Sequence, residues 1–150
     1  MPRPLRGLPL VVLAVLACVA VLGVAVPAAG AAPTRMEKRL VAKINDARAA
    51  HGLRRLRISS RLASGAHRWS RYLLRADSFF HARLAAGTGE NLGWGTCGYM
   101  CPAAALRMWL RSSSHRAILL DRGARYVGTG WTAGAWQGYG CVKMVVARFR

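Results

Sequence analysis

The chain has 150 residues, 23 of them Lys or Arg against 5 Asp or Glu, for a formal net charge of +18, yet 53% of it is hydrophobic. Position separates the two figures: residues 1–31 hold 22 of the 80 apolar residues and only two charges, Arg3 and Arg6, while residues 32–150 are 49% apolar with 21 basic and 5 acidic side chains, a net +16. That excludes a disordered basic tail and a polytopic membrane protein, and leaves one domain of about 119 residues, large enough for a modest core.

Taken in chain order, Arg3 and Arg6 make a short positive start, and Leu8 to Val26 carries no charge. Small residues at Ala29 and Ala31 then fit an A-x-A cleavage pattern, so residues 1–31 read as a secretory signal peptide cut after Ala31. The competing reading is an uncleaved membrane anchor, because 19 uncharged, mostly apolar residues can span a bilayer. Acylation at Cys18 fits poorly: Leu16 precedes Ala17, and the apolar run continues past the cysteine. Cleavage leaves Cys97, Cys101 and Cys141. In an oxidising compartment one disulfide is expected among them and one thiol is left over. Cys97 could pair locally with Cys101, or either with Cys141. Metal ligation by the three is weakly supported, since no CxxC pair exists.

Met36 to Ala50 has Leu40, Val41, Ile44 and Ala47 on one stripe, which predicts a helix stopped by Gly52. Ser59 or Ser60 caps a second helix running to about Asp77, with Leu62, Ala66, Trp69, Leu73 and Ala76 on one side and Arg61, Arg68, Arg71 and Arg75 on the other. Residues 87–98 hold five glycines, which predicts a shaped loop or irregular strand. Pro102 opens a third helix with Ala105, Leu106, Trp109 and Leu110 inward. Ser112-Ser113-Ser114 breaks it, and His115 to Leu120 forms a short helical turn. The tail is β: Tyr126 to Trp131 as one strand, Thr132 to Gly138 as a hairpin connection, and Tyr139 to Phe149 as a second, half-buried strand. Helices precede strands, so the fold class is α+β.

Four histidines compete for a chemical role. His51 sits at a helix end, where a cation suits the dipole, and His67 lies on a helix among arginines; both read as structural. His81 and His115 fall at irregular junctions beside apolar anchors, where function concentrates. Glu90 is one of only five acids and lies within the glycine-rich run. It could accept backbone N–H groups, orient a histidine, or join His81 and His115 around a zinc ion. No HExxH motif supports the zinc reading. Ser112, Ser113 and Ser114 lack a G-x-S-x-G elbow, so a serine triad is disfavoured.

The ordered blocks Ile44-Asn45-x-x-Arg48, His51-Gly52-Leu53, Phe80-His81, Gly89-Glu90-Asn91-Leu92, Trp109-x-x-Ser112, Ser114-His115-Arg116 and Val127-Gly128-x-Gly130 resemble the CAP superfamily of cysteine-rich secretory proteins, antigen 5 and pathogenesis-related 1 proteins, in its short bacterial SCP-like extracellular branch. The resemblance spans about Met36 to Phe149. It implies an α-β-α sandwich with a small antiparallel sheet, and a cleft of two histidines and two acids that can hold zinc through the histidines. Residue by residue, His81 and His115 match the histidines and Glu90 one acid. Ser112 stands where the second acid is expected, which weakens acid/base hydrolysis. Resemblance and charge together lead to the expectation of a secreted binding module whose +16 suits anionic wall polymers or lipid headgroups. The alternative is a zinc-assisted, peptidase-like extracellular hydrolase using the same cleft. The arginine excess, 20 Arg to 3 Lys, is also what GC-rich coding and solubility would leave. Aromatics do not alternate with the arginines along the chain, so dedicated nucleic-acid binding is not expected.

Overall fold

The computed structural model describes residues 32–150, so the leader, its cleavage point and Cys18 lie outside the described residues. Helix α1 covers Arg35–Ala50. Its start is a capping box: Glu37 N–H donates to Thr34 Oγ1 at 3.3 Å and Thr34 N–H to Glu37 Oε2 at 2.6 Å, so each residue satisfies an amide that the helix leaves free. Leu40, Val41 and Ile44 form its buried stripe. Two polar members of that face tie the helix to more distant backbone. The Asn45 amide exchanges hydrogen bonds with both backbone groups of Leu56, at 2.7 and 3.0 Å. The fully buried Arg48 donates to the carbonyls of Arg54, Leu119 and Asp121.

Strand β1 (Arg57–Ile58) is a two-residue edge that the sequence pattern does not reveal. Helix α2 (Ser60–Arg75) is capped by Ser59, and its exit turns at Asp77, which takes a positive φ of 47°. Strand β2 is Gly89–Thr96, α3 Pro102–Arg111, α4 Ser113–Leu119, β3 Tyr126–Trp136 and β4 Tyr139–Phe149. The sheet order is β1-β3-β4-β2, with β1 parallel to β3 and the other pairs antiparallel.

Three expectations change. Residues 89–96 form a regular strand in unbroken register with β4 from Gly89↔Phe149 to Thr96↔Val142, rather than a shaped loop or an irregular strand. Gly89, Gly93 and Gly95 lie directly under Ile118, Met108 and Met100, so the missing side chains make room for side chains arriving from α3, α4 and the loop before them. The hairpin connection is not Thr132–Gly138. β3 runs on to Trp136, and the turn is only Gln137-Gly138, at φ values of 47° and 79°, the positive pair that a two-residue turn matched to strand twist requires. Finally, β4 is buried on both faces rather than one, because it is central in the sheet.

That central strand divides two cores. Val145, Ala147 and Phe149 meet Leu40, Ile44, Trp109 and Leu119 on the side of α1, α3 and α4. Val142, Met144 and Val146 meet Ala66, Leu73, Leu92 and Trp136 on the α2 side. The architecture is thus an α-β-α sandwich of α+β class. Gly128 and Gly130 on β3 let α2 settle onto the sheet: a Cβ at either would fall within 2.1–2.4 Å of α2 backbone atoms at Ala63 or Ala66. The disulfide links Cys97 with Cys141, where β2 ends and β4 begins, and leaves Cys101 free. Local pairing of Cys97 with Cys101 is therefore not adopted. Closing a 44-residue separation stabilises the fold by about 4 kcal/mol on loop-entropy grounds.

Candidate functional site

β2 is an edge strand, so alternate residues deliver side chains to opposite layers at one rim of the sheet. Glu90 points to the α2 layer, opposite its register partner Arg148 on β4. Arg148 Nε donates to Glu90 Oε2 at 2.9 Å. Glu90 Oε1 accepts from the Ala82 amide at 3.0 Å and lies 3.0 Å from His81 Nδ1. The Glu90 side chain is 2% exposed and Arg148 12%, whereas His81 is 58% exposed. A carboxylate accepts and cannot donate, so His81 carries its proton on Nδ1, leaving Nε2 as the free ring nitrogen.

The loop holding His81 is positioned by aromatic packing. Trp69 Nε1 donates to the Phe80 carbonyl at 3.2 Å. The Phe80 ring meets Trp69 edge-on at 5.3 Å and Tyr72 at 6.1 Å. Trp69 and Tyr72 are themselves stacked at 4.9 Å and 18°. Between these rings, His81 and the guanidinium groups of Arg68 and Arg148 opens a cleft of about 770 Å³.

Asn91 points the other way and donates from Nδ2 to the His115 carbonyl at 2.9 Å, fixing α4 against β2. His115 does not line the cleft. Its Nδ1 is buried without a partner. Burial first, and the neighbouring His81 second, hold its pKa below the usual histidine value of 6.5. Ser112 precedes α4, and its hydroxyl lies 3.1 Å from that of Ser114, not against either histidine. The structure therefore joins His81 and Glu90 directly, brings His115 close behind β2, and leaves Ser112 apart.

Arg148 belongs to this site although no sequence motif singles it out. The available signal is a charged residue inside the otherwise apolar run Met144–Phe149, on the face that Val146 and Met144 share. The other two histidines have local tasks. His51 Nδ1 lies 2.8 Å from the Ala47 carbonyl at the end of α1, and His67 Nδ1 lies 3.2 Å from Glu37 Oε1. Cys101 is exposed at the start of α3, where the Ala104 amide, foremost among several causes, holds its thiol below the ordinary value.

The donor set can be tested against zinc. Glu90 has both oxygens engaged by His81, Ala82 and Arg148. Among the described residues no three of His, Cys, Asp and Glu gather to hold a metal ion. What remains is a pair of imidazoles, which does not fit the three protein ligands of a catalytic zinc centre.

In solved structures the fold recurs. An outer surface protein from Borrelia burgdorferi superposes with a TM-score of 0.62 at 19% identity, over 79% of this chain and 94% of that one. An extracellular protein containing an SCP domain from Bacillus anthracis gives 0.62 at 21% identity, over 75% of this chain but only 39% of that longer one. No curated protein matches in sequence. The model of the cysteine-rich secretory protein family matches residues 41–147, which include His81, Glu90, Asn91 and His115 and span both layers of the sandwich. The chain belongs to the CAP family.

Proposed function

We propose that this protein is an exported, non-catalytic binding module acting at an anionic cell-surface target. The observation that carries this reading is the closure of Glu90 beneath an open, arginine-bearing cleft. Its two oxygens accept from Arg148, Ala82 and His81, and its side chain is 2% exposed. A general acid or base must reach the proton it transfers, and this carboxylate reaches only the fold. Its task is to hold His81 and Arg148 in place, as an orienting acid does. Above it, the cleft presents Arg68, Arg83 and Arg148 to solvent, and no acidic side chain lines it.

Export is supported by the leader-like start, by the disulfide, which persists in oxidising compartments, and by structural neighbours described as an outer surface and an extracellular protein. Among the described residues no helix is long and apolar enough to cross a membrane. The hydrolase reading loses support on two counts: Glu90 is engaged, and Ser112 replaces the second acid.

The test is retention of the purified protein on anionic wall polymer and anionic lipid against neutral counterparts, at low and high salt. Retention on the anionic supports that falls steeply between about 0.05 and 0.5 M salt supports the proposal, because the screening length shrinks from about 14 Å to about 4 Å over this range. Retention that ignores charge and salt refutes it. Peptide or ester hydrolysis abolished by His81→Ala would instead establish the enzyme.

A further inference from the structure

The cleft above Glu90 does not end at its rim. Gly65, Arg68, Leu84 and Arg148 are shared with a second hollow of about 250 Å³ that runs on past Arg61 to Arg150. On α2, Arg61, Gly65, Arg68 and Tyr72 recur at intervals of four, three and four, so they lie along one face. From Arg61 to Tyr72 the helix rises about 16 Å. The two hollows are therefore one elongated groove between α2 and the segment after it.

Its chemistry is graded along its length. Arg61, Arg68, Arg83, Arg148 and Arg150 line it, and no Asp or Glu does. Arg148 donates to Glu90 through Nε alone, and its two terminal nitrogens make no hydrogen bond among the described residues. At one end stands the wall of Trp69, Tyr72 and Phe80. Tyr72 is 43% and Phe80 46% exposed, although both are held in mutual packing. Rings so exposed and so fixed meet a ligand at little entropic cost.

We propose that this groove binds a linear anionic glycan, its sugar faces against the Trp69–Tyr72–Phe80 wall and its carboxylate, sulfate or phosphate groups along the arginines. Shape and chemistry together select that ligand. The arginines line a concavity, so a bilayer, which is flat on this scale, reaches only their rim, whereas a chain one sugar wide lies along the floor. Trp69 and Tyr72 already stack on each other at 4.9 Å, which leaves no slot between them for a nucleic-acid base. What they offer is an outer ring face and edges, suited to the C–H face of a sugar. Arginine forks pair with the planar or tetrahedral anions such a chain carries.

This inference rests on the binding-module reading, and the experiment separates the two. The full chain is titrated with a heparin oligosaccharide, polygalacturonate, neutral dextran, oligo(dT) and phosphatidylglycerol vesicles. Arg61→Ala/Arg68→Ala is compared with the charge-matched Arg39→Ala/Lys43→Ala on α1. The expected result is glycan binding weakened about tenfold by the α2 pair and less than about twofold by the α1 pair. Tyr72→Ala weakens it about fivefold with the salt dependence unchanged. Preference for the heparin oligosaccharide identifies sulfate as the favoured anion, and preference for polygalacturonate identifies carboxylate; either supports the groove. Equal losses from the two pairs, an inert Tyr72→Ala, or tighter binding of vesicles or oligo(dT) overturns the glycan assignment and leaves the anion-binding module standing. Failure to bind any polyanion overturns both. Circular dichroism and thermal melting of each variant confirm that the fold survives these exposed substitutions.

Discussion

Two glutamate–histidine pairs occupy this small domain, and on paper they are twins. Glu37 lies 3.2 Å from His67 and Glu90 lies 3.0 Å from His81, in both cases through histidine Nδ1. Both carboxylates are almost wholly buried, and both accept backbone amides: Glu37 from Thr34 and Trp131, Glu90 from Ala82. Yet only one borders a site. Glu37 fastens three elements, the start of α1, the middle of α2 and strand β3. Glu90 adds Arg148, lies beneath a cleft, and has His115 behind it. A buried carboxylate beside an imidazole is thus no signature of function. The cation on its other oxygen and the hollow above it make the difference.

The largest expected effect comes from that division of labour. Glu37→Ala strands the buried Trp131 amide and removes the side-chain tie between α1 and β3, and is expected to cost about 4 kcal/mol in unfolding free energy by urea titration. Glu90→Ala leaves a partly accessible Arg148 and a largely exposed His81 that water can serve, so about 2 kcal/mol is expected. Equal losses would erase the distinction between scaffold pair and site pair. The two also part at the cleft. Glu90→Gln removes the negative charge beneath the arginines and is expected to tighten polyanion binding about threefold at low salt, while Glu37→Gln leaves it unchanged. Isothermal titration of the two variants checks this, and an unchanged affinity in Glu90→Gln would remove the electrostatic role assigned to that carboxylate.

The same contrast shows which parts of the molecule can be read from the chain. The helices are legible because Leu40, Val41 and Ile44, or Ala66 and Leu73, keep helical spacing and are buried as that spacing demands. β2 is illegible as a regular strand because glycine scores against strands, and only the arriving Ile118, Met108 and Met100 explain the gaps. The hairpin turn is hidden because Gln137 carries a positive φ that its residue type does not advertise. At the site, His81, Glu90 and His115 stand out through ordered motifs. Arg148 does not, since one arginine among 20 carries no signal until the register sets it opposite Glu90. Scarcity of acids marks Glu90, but it marks Glu37 equally. All five acids serve the fold: beside these two, Asp46 pairs with Arg55, Asp77 holds the Gln137 amide, and Asp121 holds that of Gly123.

A smaller effect concerns the imidazole behind β2. Burial holds the His115 pKa below 6.5, so the folded state favours its neutral form and the unfolded state binds the proton more readily. Stability from this residue is therefore complete above about pH 6.5 and is lost as pH falls through the depressed folded value. Urea midpoints at pH 7.5 and pH 5 measure it. His115→Asn is expected to show a smaller drop between the two pH values than the wild type, and an identical drop would assign the acid sensitivity elsewhere.

The smallest effects return to the twin histidines. His67→Ala removes a side chain that is 37% exposed and leaves Glu37 with its two amide donors, so about 1 kcal/mol of stability is expected to go and polyanion affinity to stay. His81→Ala removes a 58% exposed ring from the cleft wall, and is expected to cost no more than about 0.5 kcal/mol, because Glu90 keeps Arg148 and the Ala82 amide. Its consequence lies in binding: the free Nε2 and the ring face are lost where the groove meets the aromatic wall, and affinity is expected to fall about twofold to threefold. Thermal melts and titrations of the two variants, run together, form a cross in which one histidine moves stability and the other moves affinity. If His67→Ala weakened binding as much as His81→Ala did, the two pairs would be one coupled network through α2, and the partition between scaffold and site would fail.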